Sequence, residues 1–92
     1  MPGELYTFTD RTYDNLAKAG ISPLQVLDIL HGGQLVRRHI GAFLQVAGQD
    51  RYGGWLAVAL MEEDDDSYTV TSARHLDDEE IAAIEHMRKD QR

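Results

Sequence analysis

The chain has 92 residues, is 42% apolar, contains no cysteine and carries a net charge of -7. This length supports one domain, residues 1–92, around one modest core, and no apolar run approaches the ~20 residues that span a bilayer. The missing cysteines exclude disulfides and thiolate metal sites, and the overall acidity opposes a general nucleic-acid-binding surface, because affinity for phosphate comes from Lys and Arg displacing counterions. Met1-Pro2-Gly3-Glu4 has no basic stretch leading into an apolar one, so no secretory signal is expected and a cytoplasmic protein is.

In chain order, Glu4–Thr9 is short and alternating, which fits a strand or an extended lead-in equally well. Thr9 or Asp10 caps a first helix over Arg11–Ala19, with Tyr13, Leu16 and Ala17 as its apolar stripe. Gly20 stands where a left-handed residue closes a helix, and Ile21 can fold back on it. Ser22-Pro23-Leu24-Gln25 then combines an N-cap serine, proline at the first helical position and glutamine at the capping-box position. Leu24, Val26, Leu27 and Leu30 supply that helix's apolar face, and Gly32-Gly33 ends it.

From Gln34 the period changes. Leu35–Ile40, Ala42–Ala47, Trp55–Met61 and Ser67–Arg74 are strand-length runs, separated by Gly41, by Gly48–Gly54 and by Glu63–Asp66. Such short connections demand antiparallel neighbours. A last helix starts at Asp77, with Glu80 three residues on, and runs Ile81, Ile84, Met87 along one side; its acidic first turn and the basic Arg88, Lys89 and Arg92 at its end suit the helix dipole. The expected fold is α+β: an N-terminal helical hairpin, a four-stranded antiparallel meander and a C-terminal helix.

Chemistry concentrates at the two ends of the meander. Nine acids lie in Glu62–Asp66 and Asp77–Glu80, whereas Gln34–Leu60 carries Arg37, Arg38 and Arg51 against the single acid Asp50. Strand alternation puts Arg37 and His39 on one face and Arg38 on the other with Val36 and Ile40; by the same count Arg74 shares a face with Ser72, Val70 and Tyr68. A guanidinium matches phosphate bidentately, and it equally matches the carboxylates this chain holds in excess. His39 and His75 each follow an arginine near a strand end, where an imidazole could serve as general acid or base. No histidines have the i, i+4 spacing of a helical metal site, and Glu62–Asp66 lacks the spaced ligands and glycine of a calcium loop, so neither metal nor cofactor is expected. Phe43 and Trp55 read as core, with Tyr52 as a further aromatic in the turn.

Three stretches resemble the BrnT family of type II toxins, which have a RelE/ParE-like fold. Phe8-Thr9-Asp10 through Asn15-Leu16-Ala17-Lys18-Ala19-Gly20-Ile21-Ser22 is similar to the family's opening helix and turn. Arg37–Ile40, the turn around Gly48 and Trp55–Leu60 are similar to its Arg-bearing strand, glycine turn and apolar strand. Thr71-Ser72-Ala73-Arg74 resembles its Ser-Ala-Arg strand end, with Glu80 at the later Glu. The resemblance implies a metal-independent endoribonuclease that cleaves RNA by 2′-hydroxyl attack, held in check by an antitoxin protein. In that reading Arg74 stabilises the transition state with an arginine of the first long strand, Arg38 or else Arg37, and Glu80 or His39 moves protons; Arg37, Arg51 and His75 are further candidates for substrate binding. The alternative is a non-catalytic interaction module that has kept the fold and uses its acidic faces and a sheet edge to bind a basic partner or to form a homodimer.

Overall fold

The computed structural model describes residues 5–90, with the backbone alone for residues 88–90. The order is β1 (Leu5–Phe8), α1 (Asp10–Ala19), α2 (Pro23–Asp28), a π-helical turn (Ile29–Gly33), β2 (Gln34–Ile40), β3 (Phe43–Gln49), β4 (Trp55–Asp64), β5 (Ser67–His75) and α3 (Asp78–Asp90). None of these helices is long and apolar enough to cross a membrane. The meander β2–β5 is antiparallel as expected, but the sheet has five strands in the order β1-β5-β4-β3-β2 and is mixed, because β1 pairs parallel to β5. The expected four-stranded antiparallel sheet is corrected accordingly. Leu5–Phe8 is too short to reveal by alternation that it is a strand, and its partner lies some sixty residues away in the chain, beyond any local pattern.

Local chemistry explains the helix ends. Thr9 caps α1 and exchanges hydrogen bonds with Thr12, while Ser22 and Gln25 do the same for α2. Gly20 ends α1 at φ 70°, which costs glycine nothing, and Ile21 N–H donates to the Leu16 carbonyl at 3.0 Å. At α3, Glu80 N–H donates to Asp77 Oδ1 (2.8 Å) and Asp77 N–H to Glu80 Oε1 (3.0 Å), so Asp77 caps that helix. The basic residues expected at its far end, Arg88, Lys89 and Arg92, lie outside the side chains described.

The helices divide between the two faces of the sheet. On one face Leu16, Ile21, Val26, Ile29 and Leu30 pack on Leu44, Val46, Leu56, Val58, Leu60, Tyr68 and Val70. The α1 stripe is therefore Thr12 and Leu16 rather than Tyr13 and Ala17, which are exposed; Tyr13 stacks outside on Phe8 with ring centroids 5.8 Å apart. Leu24, expected in the α2 face, is also exposed. On the other face α3 lays Ile84 over Ala47 and Ala57, with Val36, Trp55 and Leu76 around them. The two alanines admit the helix closely. Phe43, expected as core, is exposed on this second face, beyond the reach of α3.

Two details fix the frame of the candidate site. First, β5 carries a bulge: Leu60 opposes Val70 and Ala59 opposes Ser72, leaving Thr71 as an extra residue. The Val70 carbonyl accepts from Thr12 Oγ1 and the Thr71 carbonyl from Asn15 Nδ2 at 2.9 Å, so α1 clamps the bulge. Second, the β3–β4 turn is wrapped on Asp50, which is buried. Its Oδ1 accepts from the N–H groups of Tyr52 and Gly54 (2.9 Å each) and its Oδ2 from Gln25 Nε2 at 3.0 Å. These bonds, Gln25 foremost, hold the Asp50 carboxyl below its ordinary range against the opposing effect of burial.

Candidate functional site

The bulge at Thr71 decides which face Arg74 occupies. Unbroken alternation would put Ser72 and Arg74 with Val70 and Tyr68, as the sequence count expects. The extra residue inverts the strand, so Tyr68 and Val70 enter the core while Ser72 and Arg74 face the side of α3. Three rows of side chains then cross the open face. Val36, Ala47, Ala57 and Arg74 form the row beside α3, Arg38, Gln45, Ala59 and Ser72 the next, and Ile40, Phe43, Met61 and Thr69 the outermost. A groove of about 300 Å³ between the first two rows and α3 is lined by Arg38, Gln45, Arg74 and Glu80 over an apolar floor.

Arg74 and Glu80 form a bidentate ion pair, Nη1 to Oε1 at 2.8 Å and Nη2 to Oε2 at 2.6 Å. The guanidinium and the N–H of Asp77 pull the Glu80 carboxyl down to about 2, and Glu80 in turn raises Arg74. Both side chains remain partly exposed, so the pair adds little to stability but holds two opposite charges at the mouth of the groove. The Arg38 side chain, on the edge strand, has neither a hydrogen bond nor an ion pair among the described residues, and is exposed. The site therefore offers one open guanidinium, one guanidinium masked by a carboxylate, and the Ser72 and Gln45 side chains between them.

The remaining candidates lie elsewhere. His39 opposes Leu44 and Arg37 opposes Val46, both on the α1–α2 face. Arg37 Nη2 donates to Tyr68 Oη at 3.2 Å with its guanidinium 5.7 Å above that ring. His39 thus cannot join Arg38 in one site, since neighbours along a strand point to opposite faces. His75 opposes Leu56 on that same opposite face. Arg51 is committed to Asp28 through Nε (3.0 and 3.1 Å) and Nη2 (2.7 Å), a pairing that holds the Asp28 carboxyl low. Of the seven residues singled out by sequence, the fold gathers Arg38, Arg74 and Glu80 and disperses His39, Arg37, Arg51 and His75. Gln45 was not singled out, although alternation from Phe43 to Ala47 puts it beside Arg38; Ser72 was visible only as a neighbour of Arg74. Among the described residues no three His, Asp or Glu side chains converge as metal ligands.

No family model matches the chain, and no curated protein matches it. Among solved structures, the 1.1 Å crystal structure of the Brucella abortus ribonuclease toxin BrnT superposes with a TM-score of 0.60 and 17% sequence identity, covering 79% of this chain and 97% of that one. The fold is BrnT-like. At that identity the likeness concerns the path of the chain and the packing of its elements, not the side chains of the groove.

Proposed function

We propose that this protein is the toxin-like component of a toxin–antitoxin pair and cleaves RNA without a metal ion, in the cytoplasm, until a partner antitoxin covers the groove. The observation that carries the reading is the convergence of Arg38 and Arg74 on one groove of a BrnT-like fold. A phosphodiester entering there would meet the open Arg38 first and then compete with Glu80 for the Arg74 fork. Two guanidiniums on the non-bridging oxygens offset the charge that builds when the 2′-oxygen attacks phosphorus. The P–O5′ bond breaks, leaving a 2′,3′-cyclic phosphate and a 5′-hydroxyl that takes its proton from water. Glu80, displaced from Arg74, returns toward the ordinary carboxylate range and is the acceptor within the groove for the 2′-hydroxyl proton. It is a weak base, so charge stabilisation by the arginines carries the larger share of the rate.

One feature favours the second reading, a non-catalytic interaction module. Glu80 already saturates the Arg74 fork, and neither His39 nor His75 shares the face. Incubation with a mixed-sequence RNA in EDTA separates the two. Cleavage to 2′,3′-cyclic phosphate ends, blocked by a 2′-deoxy substitution, lost in Arg38→Ala and Arg74→Ala and kept in the surface control Arg11→Ala, supports the ribonuclease. Intact RNA at high protein concentration, with no growth arrest on expression, leaves the interaction module.

A further inference from the structure

The sheet face that carries the groove is only partly covered. α3 lies over its first row, and no described element lies over its outermost one. In that row Ile40, Phe43 and Met61 are direct neighbours across β2, β3 and β4. They are 51%, 46% and 36% exposed, an apolar strip running inward from an edge strand whose outer side has no strand beside it among the described residues. A layered α+β fold buries such a strip under a further element. The described chain supplies none.

What borders the strip indicates its occupant. Immediately after Met61 come five consecutive carboxylates, Glu62–Asp66, which form the end of β4 and the turn into β5 at the same end of the sheet. Glu63 accepts from Thr69 Oγ1 at 3.2 Å, which holds it beside the outermost row. A second copy of this chain is disfavoured, because it would bring a further charge of -7 and the same carboxylates toward the strip. RNA is disfavoured there for the same reason.

We propose that Ile40, Phe43 and Met61, with the carboxylates that border them on the same face, Glu63 and Asp64 foremost, dock an amphipathic basic helix of a partner protein. The helix lies beside α3 and completes the helical layer, with its apolar stripe on the strip and its Lys or Arg residues toward the acidic hairpin. The assignment rests on the uncovered row and its charge border, not on the groove chemistry, so it stands or falls apart from RNA cleavage.

The test uses the intact protein and a fluorescein-labelled synthetic helix of about 18 residues, leucine along one stripe and lysine elsewhere. Two controls keep the design but replace every lysine by glutamate or every leucine by serine. Anisotropy should show saturable binding of the Leu/Lys helix that weakens with salt. Neither control should bind comparably. Phe43→Ser should weaken binding about tenfold or more, as loss of one buried aromatic contact requires. The double reversal Glu63→Lys/Asp64→Lys should weaken it similarly. All these positions are exposed, and circular dichroism checks that the variants fold. Equal binding of the serine control, or unchanged binding by Phe43→Ser, would overturn the proposal. So would dimerisation in sedimentation that Phe43→Ser abolishes, or binding of labelled single-stranded RNA, without the peptide, that Phe43→Ser abolishes. RNA cleavage is scored in the same preparations and should persist in Phe43→Ser if it occurs at all.

Discussion

Replacing Thr12 by valine tests whether α1 clamps the bulge that presents Arg74. Thr12 is 1% exposed, and its hydroxyl donates to the Val70 carbonyl while accepting from the Thr9 N–H at 3.0 Å. Valine has nearly the same shape, so no cavity opens and the change isolates the hydroxyl. Depriving a buried carbonyl of its donor costs about 1–3 kcal/mol, and loss of the reciprocal cap adds about 0.5–1 kcal/mol. The extra buried methyl returns about 0.8 kcal/mol. The expected net loss is about 2 kcal/mol. A chain of this size has about 5–14 kcal/mol in total, so the melting temperature should fall by roughly 8–16 °C. Urea unfolding followed by circular dichroism should show a lower midpoint with an unchanged slope. Thr12→Ser keeps the hydroxyl and should lose only about 1 kcal/mol, from the missing methyl. A Thr12→Val protein within about 0.5 kcal/mol of the parent, or a serine variant no better than valine, would refute the clamp.

Four further outcomes follow from the same geometry. Glu80, lowered from 4.5 to about 2, contributes stability that is complete above pH 4.5 and lost as pH falls through about 2, so its carboxyl resonance should titrate near 2 and move back toward 4.5 in Arg74→Ala; a midpoint already near 4.5 in the parent protein would contradict the ion pair. Asp50 is likewise lowered from 3.8, so its contribution is complete above that value and lost at lower pH, and Asp50→Asn should cost about 1–3 kcal/mol in urea unfolding. In the same turn, Gly54→Ala would bring a Cβ to 2.8 Å from Asp50 Oδ2 and should cost about 1–3 kcal/mol, a loss that Asp50→Ala should largely abolish in the double variant. Arg38→Ala should leave stability within about 0.5 kcal/mol, because its side chain is exposed and has no hydrogen bond or ion pair among the described residues; on the proposed ribonuclease function it should also lower RNA cleavage about 10²–10³-fold.

Much of the fold is legible where the code is local. The capping boxes at Thr9 and Ser22, the glycine stop at Gly20 and the short turns of the meander need only neighbouring residues, and each places its element within a few positions. Burial is less legible. Phe43 and Leu24 are apolar yet exposed, because exposure depends on whether another element arrives, and α3 reaches only the first row of its face. Among the site residues, the separation of Arg38 from Arg37 and His39 follows from strand alternation alone and matches the pairing of β2 with β3. That His39 leaves the groove is a consequence of the same count, seen only once the position of Arg74 is known.

The sequence by itself determined the α+β order, the antiparallel connectivity of β2–β5, the helix ends and the presence of strand-borne arginines in an acidic chain. Only the tertiary structure decided that β1 pairs parallel to β5, that helices cover both faces, and that Arg74 shares a face with Arg38. The last turns on a single extra residue, Thr71. Alternation counted along the strand puts Arg74 on the wrong side, because a bulge is stabilised from outside the strand: Thr12 and Asn15 take the carbonyls of Val70 and Thr71 across more than fifty residues of chain. A local pattern carries period and capping; it does not carry the distant donor that makes one departure from the ladder favourable.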